Sequence, residues 1–175
     1  PAGLAFSGVP GPAATATEEY DGSSWTNGGA LNTGRSAAGG TGTQTAGLCY
    51  GNDAPDKTTT EEYDGSSWTS SGSMNTGKFF MAIGGTGTQT AALASGGSSG
   101  PSTSVTAVTE TYDGTSWATN PSMGTARYYL AGGASAPNSA ALVMGGANAS
   151  ETKQNATEEF TGVTETIVAK TLTTS

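Results

Sequence analysis

The chain has 175 residues, with six Lys+Arg against fourteen Asp+Glu and no His, for a net charge of −8. That balance leaves no electropositive track for nucleic acid or an anionic membrane surface, and no run reaches the roughly 20 apolar residues of a membrane-spanning helix. Only 11% of residues are charged while Gly, Ser, Thr and Ala dominate, a composition of tight turns and close-packed strands that predicts an all-β chain.

The first element, GLAFSG from Gly3, reads as a strand ending in a small-residue turn. It is followed by TEEYDGSSWT from Thr17, which returns as TEEYDGSSWT at Thr60 and TETYDGTSWA at Thr109, with a fourth version opening TEEF at Thr157. Tyr20, Tyr63, Tyr112 and Phe160 mark the copies at spacings of 43, 49 and 48 residues, a period that fits four-stranded propeller blades. Gly-rich punctuation divides each copy into four strands: RYYLAGGA from Arg127, AALVMGG from Ala140, ATEEF from Ala156, then the tail. The expected organisation is a single domain over 1–175, with modules at approximately 1–34, 35–77, 78–126 and 127–175. Blade one enters already in strand two, and the C-terminal run from Val163 is expected to supply strand four of the last blade and, if it turns, strand one of the first. A closed four-bladed ring, a piece of a larger propeller and a ring completed by two copies all fit this pattern.

The Asp-Gly pairs Asp21-Gly22, Asp64-Gly65 and Asp113-Gly114 predict two-residue type I′ hairpins, with positive φ at both residues. Trp25, Trp68 and Trp117 follow on the far side of each turn, and with the Tyr residues they are expected to pack neighbouring blades together. Ten residues after each Trp comes a base, Arg35, Lys78 or Arg127. Glu18, Glu61 and Glu110 are expected to pair with these bases within the blades, fixing register more than adding stability. The segment RSAAGGTGTQT from Arg35 is two residues shorter than KFFMAIGGTGTQT from Lys78, a change that preserves the alternation of faces.

With their Gly-Gly strand ends (ALASGG from Ala92, ALVMGG from Ala141), Glu-x-Tyr-Asp segments, recurring Trp and Met-x-Thr entries (MNTGK from Met74, MGTAR from Met123), the copies resemble the Kelch repeats of β-propellers. The near-identity of the copies is similar in style to the repeat proteins of bacteriophage structural genes. The chain departs from the family pattern in its short Tyr-to-Trp spacing, in the FSG and CYG ends of the first two blades, and in a fourth copy without Trp. WD40 repeats want a Gly-His, and the sialidase-type Asp box wants a residue between its Asp and Gly; neither is present.

Enzyme chemistry finds little to stand on. Without His there is no Ser-His-Asp arrangement and no set of His ligands for copper. The acids recur at equivalent positions in every blade, as a frame does, and no pair breaks the repeat to suggest glycoside hydrolysis. Nor is there a Ca²⁺ loop of alternating Asp and Asn, so neither metal nor cofactor is expected. The lone Cys49 reads as a small buried hydrophobe, and the sequons at Asn148 and Asn155 as loop residues.

What varies is the link between strands two and three: VPGPAATA after Gly8, NDAPDKTT after Gly51, SSGPSTSVTAV after Gly97 and ANASETKQNA after Gly146. Variable loops on a rigid scaffold are where recognition concentrates. The candidate binding rim is therefore Asp53, Asp56, Lys57, Ser99, Pro101, Ser102, Asn148, Glu151 and Lys153. The resulting expectation is a non-enzymatic structural or receptor-binding module of a virion tail or fibre, or an extracellular protein. Its partner would be a cell-surface glycan or protein, or other subunits of a particle including a second copy. An adaptor or assembly subunit is the second reading, and a carbohydrate-active enzyme a third.

Overall fold

The computed structural model describes residues 2–8, 12–53, 55–82, 87–100, 104–133, 140–162 and 168–170. They form four antiparallel sheets, one after another along the chain, with a single 3-10 turn at Pro12–Thr15. Sheet 1 holds Gly3–Phe6 (β1), Thr17–Tyr20 (β2) and Trp25–Asn27 (β3). Sheet 2 holds Gly39–Thr43 (β4), Ala46–Tyr50 (β5), Thr60–Tyr63 (β6) and Trp68–Ser71 (β7). In sheet 3 the strands are Gly87–Thr88 (β8), Ala91–Ser95 (β9), Thr109–Tyr112 (β10) and Trp117–Asn120 (β11). Sheet 4 comprises Ala131–Gly132 (β12), Ala141–Met144 (β13), Thr157–Phe160 (β14) and Val168–Lys170 (β15). Every sheet is an up-and-down meander, and β15 pairs with β14 as its fourth strand.

The core lies between sheets rather than within a single centre. Leu4 and Phe6 of sheet 1 pack against buried Cys49, Tyr63 and Trp68 of sheet 2. Leu48 and Tyr50 meet Ala92, Ala94, Tyr112 and Trp117 across the next contact, and Leu93 meets Ala141 and Phe160 across the third. Middle strands buried on both faces favour small and apolar residues along their length, as AGLCY supplies and AALAS supplies up to the buried Ser95. Small residues allow the sheets to approach. A Cβ at Gly29 or Gly72, in the links leaving sheets 1 and 2, would sit 2.1 Å from the carbonyl oxygen of Ser66 or Thr115 in the next sheet's hairpin. The first strands are stitched directly, with Thr41 Oγ1 donating to Gly87 O at 2.7 Å.

Two expectations are corrected here. The Asp-Gly hairpins are not type I′: only the glycines take positive φ, at 109° for Gly22, 93° for Gly65 and 98° for Gly114. The Asp instead caps the turn with its side chain. Asp21 Oδ1 accepts the Ser23 and Ser24 amides at 2.7 and 2.9 Å, and both serine hydroxyls also donate to the carboxylate. Asp64 and Asp113 repeat this arrangement. The amide donors of Ser24 and Ser67 lead in holding the Asp21 and Asp64 carboxyls down at about 2, and those at Asp113 act in the same direction.

Trp25 does not pack between sheets. It is 52% exposed where Trp68 is 4% and Trp117 6%, because each Trp reaches back onto the preceding sheet and sheet 1 has none behind it among the described residues. Nor do the sheets close into a ring among those residues: β1 is an edge strand with no partner on its inner side. Residues 163–167 and 171–175 of the C-terminal run lie outside the described part.

Candidate functional site

The links between second and third strands all leave from one end of their sheets, and the necks in sheets 2, 3 and 4 are each closed by a buried base. Arg35 Nη1 donates to the carbonyls of Gly51 and Thr59, at 3.5 and 2.8 Å, while Nη2 pairs with the Glu61 carboxylate. Lys78 Nζ reaches Ala94 O at 3.1 Å, Val108 O at 3.0 Å and Glu110 Oε1 at 3.4 Å. Arg127 Nη1 spans Gly145 O and Ala156 O at 2.8 and 2.9 Å, and its Nη2 meets Glu158 Oε1 at 2.6 Å. One cation thus holds both ends of the variable loop in each of sheets 2, 3 and 4. The acid does a second job, accepting backbone amides of the link that arrives from the preceding sheet: Asn32 and Thr33 at Glu61, Asn75 and Thr76 at Glu110, Gly124 at Glu158.

Glu18 forms no such pair. It is exposed, the three bases are taken by Glu61, Glu110 and Glu158, and sheet 1 has neither a base-bearing first strand nor an arriving link among the described residues. Burial and hydrogen bonding to charge are what make the interior pairs matter, since an ion pair left in water contributes little.

Lys78 is the titratable member of the set. Burial pushes its ammonium down to about 8, an effect the Glu110 carboxylate partly offsets. An unfolded Lys keeps its proton to about pH 10.4, so between those values the unfolded chain binds more protons and stability rises with pH. Urea midpoints measured from pH 8 to 10 are expected to climb for the wild type. In Lys78→Arg, which cannot deprotonate in that range, the Lys78 contribution to that slope is expected to vanish.

Beyond the necks, the loops are braced internally and against one another. Asp56 Oδ1 accepts the Thr58 amide and hydroxyl at 3.2 and 2.9 Å, which lowers its pKa. Asn148 Oδ1 accepts the amides of Ser150 and Thr152, both at 3.0 Å. Lys57 Nζ crosses to Ser99 O at 3.1 Å and lies over the Phe79 ring, 4.8 Å from its centroid. Asp53 donates its amide to Ser36 O at 3.1 Å, and Lys153 is exposed and forms an isolated bridge with Ala147. Pro101 and Ser102 lie outside the described residues.

Between the third and fourth links lies a cleft of about 330 Å³, which also brings in residues that the loop pattern alone had passed over. Ser98, Gly100 and Glu151 line it from the links, and Phe79, Phe80, Tyr128 and Tyr129 from the entries to the first strands. Phe80 and Tyr129 hold φ of 52° and 54°, as does Ala37 at 54° in sheet 2. Their amides form a staircase: Phe80 N donates to Ala37 O at 3.0 Å and Tyr129 N to Phe80 O at 2.9 Å. Positive φ costs a bulky residue on the order of 1–3 kcal/mol, yet the last two steps carry aromatic rings whose centroids lie 4.3 Å apart. Tyr129 is 54% exposed. The signal in the sequence was the change from Ser36-Ala37 to Phe79-Phe80 and Tyr128-Tyr129 inside an otherwise conserved repeat.

A second cleft, of about 410 Å³, separates the free edge of β1 from β4. It occupies the place where a first strand of sheet 1 would run, and its lining carries no ionisable side chain. Among the described residues no group of three or more His, Cys, Asp or Glu gathers to hold a metal. The Cys49 thiol is fully buried and pushed up to about 12 by that burial, so it is not a ready nucleophile.

Fold and site together define an all-β repeat protein of four successive antiparallel sheets, with loop-lined clefts at their ends. No family model matches the chain, and no curated protein matches it. Among solved structures it is similar in fold to YjhT, with a TM-score of 0.69 at 12% sequence identity over 89% of this chain. The chain spans about half of that longer one, 52% of its length.

Proposed function

We propose that the chain is a Kelch-like propeller module that recognises a partner through the rim of links between second and third strands, without chemistry of its own. The observation that carries this reading is the clamp at three of the four necks, where buried bases fix the ends of loops whose tips differ in length and residue type. Rigid necks under variable tips lower the entropy lost when the tips engage a ligand. The aromatic cleft is the point of this rim best suited to a cell-surface glycan, with the exposed Tyr129 ring as a stacking platform and Glu151 and backbone groups as hydrogen-bonding partners. A place in a phage tail or fibre, in the virion or outside the cell, is the setting we propose for such a module.

The reading is tested on a glycan array with the wild type and Tyr129→Ala. The variant is expected to fold, since Ala37 already occupies the same backbone conformation, and to bind at least about tenfold more weakly. Glycan binding unchanged in Tyr129→Ala would remove the cleft from the site.

The free edge of β1 favours a second reading, an assembly subunit that accepts a strand from a neighbouring subunit. A protein partner that protects β1 amides from hydrogen exchange on binding, and leaves the rim unprotected, would favour it.

A further inference from the structure

Each internal contact between sheets uses the same positions. Sheet 2 turns Tyr63 and Trp68 back onto sheet 1: Trp68 meets the Phe6 ring at 4.9 Å, its Nε1 donates to Thr17 Oγ1 at 2.9 Å, and the Tyr63 hydroxyl donates to Glu19. Sheet 3 repeats the contact with Tyr112 and Trp117, which find the Tyr50 ring at 5.0 Å, Thr60 Oγ1 at 3.0 Å and Glu62 Oε1 at 2.5 Å. Sheet 4 brings Phe160, which lacks a hydroxyl. At the position matching Glu19 and Glu62, sheet 3 carries Thr111, and at the position matching Phe6 and Tyr50 it carries Ser95. Receiving residues therefore change together with the residues they receive.

Both ends of the array keep their half of this contact. The back of sheet 1 carries Tyr20 and the exposed Trp25. The front of sheet 4 carries Leu142, Met144, Thr157 and Glu159, at the register positions of Leu48, Tyr50, Thr60 and Glu62. Leu142 and Met144 are 40% and 37% exposed, whereas Leu48 and Leu93 at the same position as Leu142 are 0% and 1%. Sheet 4 thus presents the receiving set for a Tyr and a Trp, and sheet 1 presents a Tyr and a Trp with no sheet behind them among the described residues.

We propose that the front of sheet 4 receives the back of sheet 1 from a second copy of the chain, head to tail, with Trp25 over Met144 and Tyr20 directed at Glu159. Continuity with the two interior Tyr-Trp contacts identifies the occupant, since Leu142, Thr157 and Glu159 match Leu48, Thr60 and Glu62 at the same register positions, with Met144 as the apolar residue where Phe6 and Tyr50 meet a Trp. The contact is heterologous, so it closes a ring where the rotation between copies permits and extends as an open array where it does not.

Sedimentation velocity across a dilution series tests this. The wild type is expected to associate as concentration rises. Trp25→Glu and Met144→Glu, both at exposed positions, are each expected to keep the wild-type thermal midpoint and weaken association at least about 30-fold. Mixed together they are expected to form a one-to-one complex, because each variant retains the face that the other has lost. A wild type that stays monomeric throughout, variants that associate as the wild type does, or a mixture that remains monomeric would each overturn the proposal.

Discussion

Glu61→Ala is expected to lower the unfolding free energy by about 3–5 kcal/mol, the cost of stranding one partner of a buried ion pair. Urea denaturation followed by Trp fluorescence measures it. Arg35 would be left without its carboxylate at a fully buried site, and the amides of Asn32 and Thr33 would lose their acceptor. Glu18→Ala, at the same place in the repeat but exposed, is expected to change stability by less than about 0.5 kcal/mol. The double variant Arg35→Met with Glu61→Leu should recover only part of the loss. Apolar residues can replace a buried pair at little cost, but here the carbonyls of Gly51 and Thr59 would lose the Arg35 guanidinium as well.

Trp117→Ala is expected to cost about 3–5 kcal/mol. Its ring packs against both Tyr50 and Tyr112, at 5.0 and 5.1 Å, and its Nε1 donates to Thr60 across the contact between sheets 2 and 3. Trp25→Ala, at a dilution where the chain is monomeric, should cost less than about 1 kcal/mol, because Trp25 is about half exposed and Tyr20 is its one ring neighbour among the described residues. Thermal melts of the two variants side by side give the comparison. Equal losses would mean that Trp25 is buried in the monomer.

The strands were legible because their signals are local: Gly punctuation, short apolar runs and a fixed period. The four-residue hairpin loop was less so, since Asp-Gly fits both a type I′ turn and a side-chain cap, and only the backbone angles separate them. Position in the repeat puts Glu18 in one class with Glu61 and Glu110, and Trp25 with Trp68 and Trp117. Burial divides each class, and burial depends on whether a sheet stands behind, which no ten-residue segment encodes. The aromatic cleft is a similar case. Phe79, Phe80, Tyr128 and Tyr129 read as strand-one apolar residues, and only the staircase of positive φ brings them to the rim beside Glu151. The neck clamps were hidden for another reason: a base that pairs with an acid gives no sequence sign that it also holds two carbonyls some ten residues apart.

The most direct test of recognition by clamped loops is to permute the residues within the four links between their necks, keeping every base, acid, Tyr and Trp of the sheets in place. Surface-bound glycans or the partner protein would then be titrated with wild-type and permuted chains of equal thermal midpoint. Loss of binding by the permuted chain is the result predicted here; binding that survives permutation of all four links would contradict it.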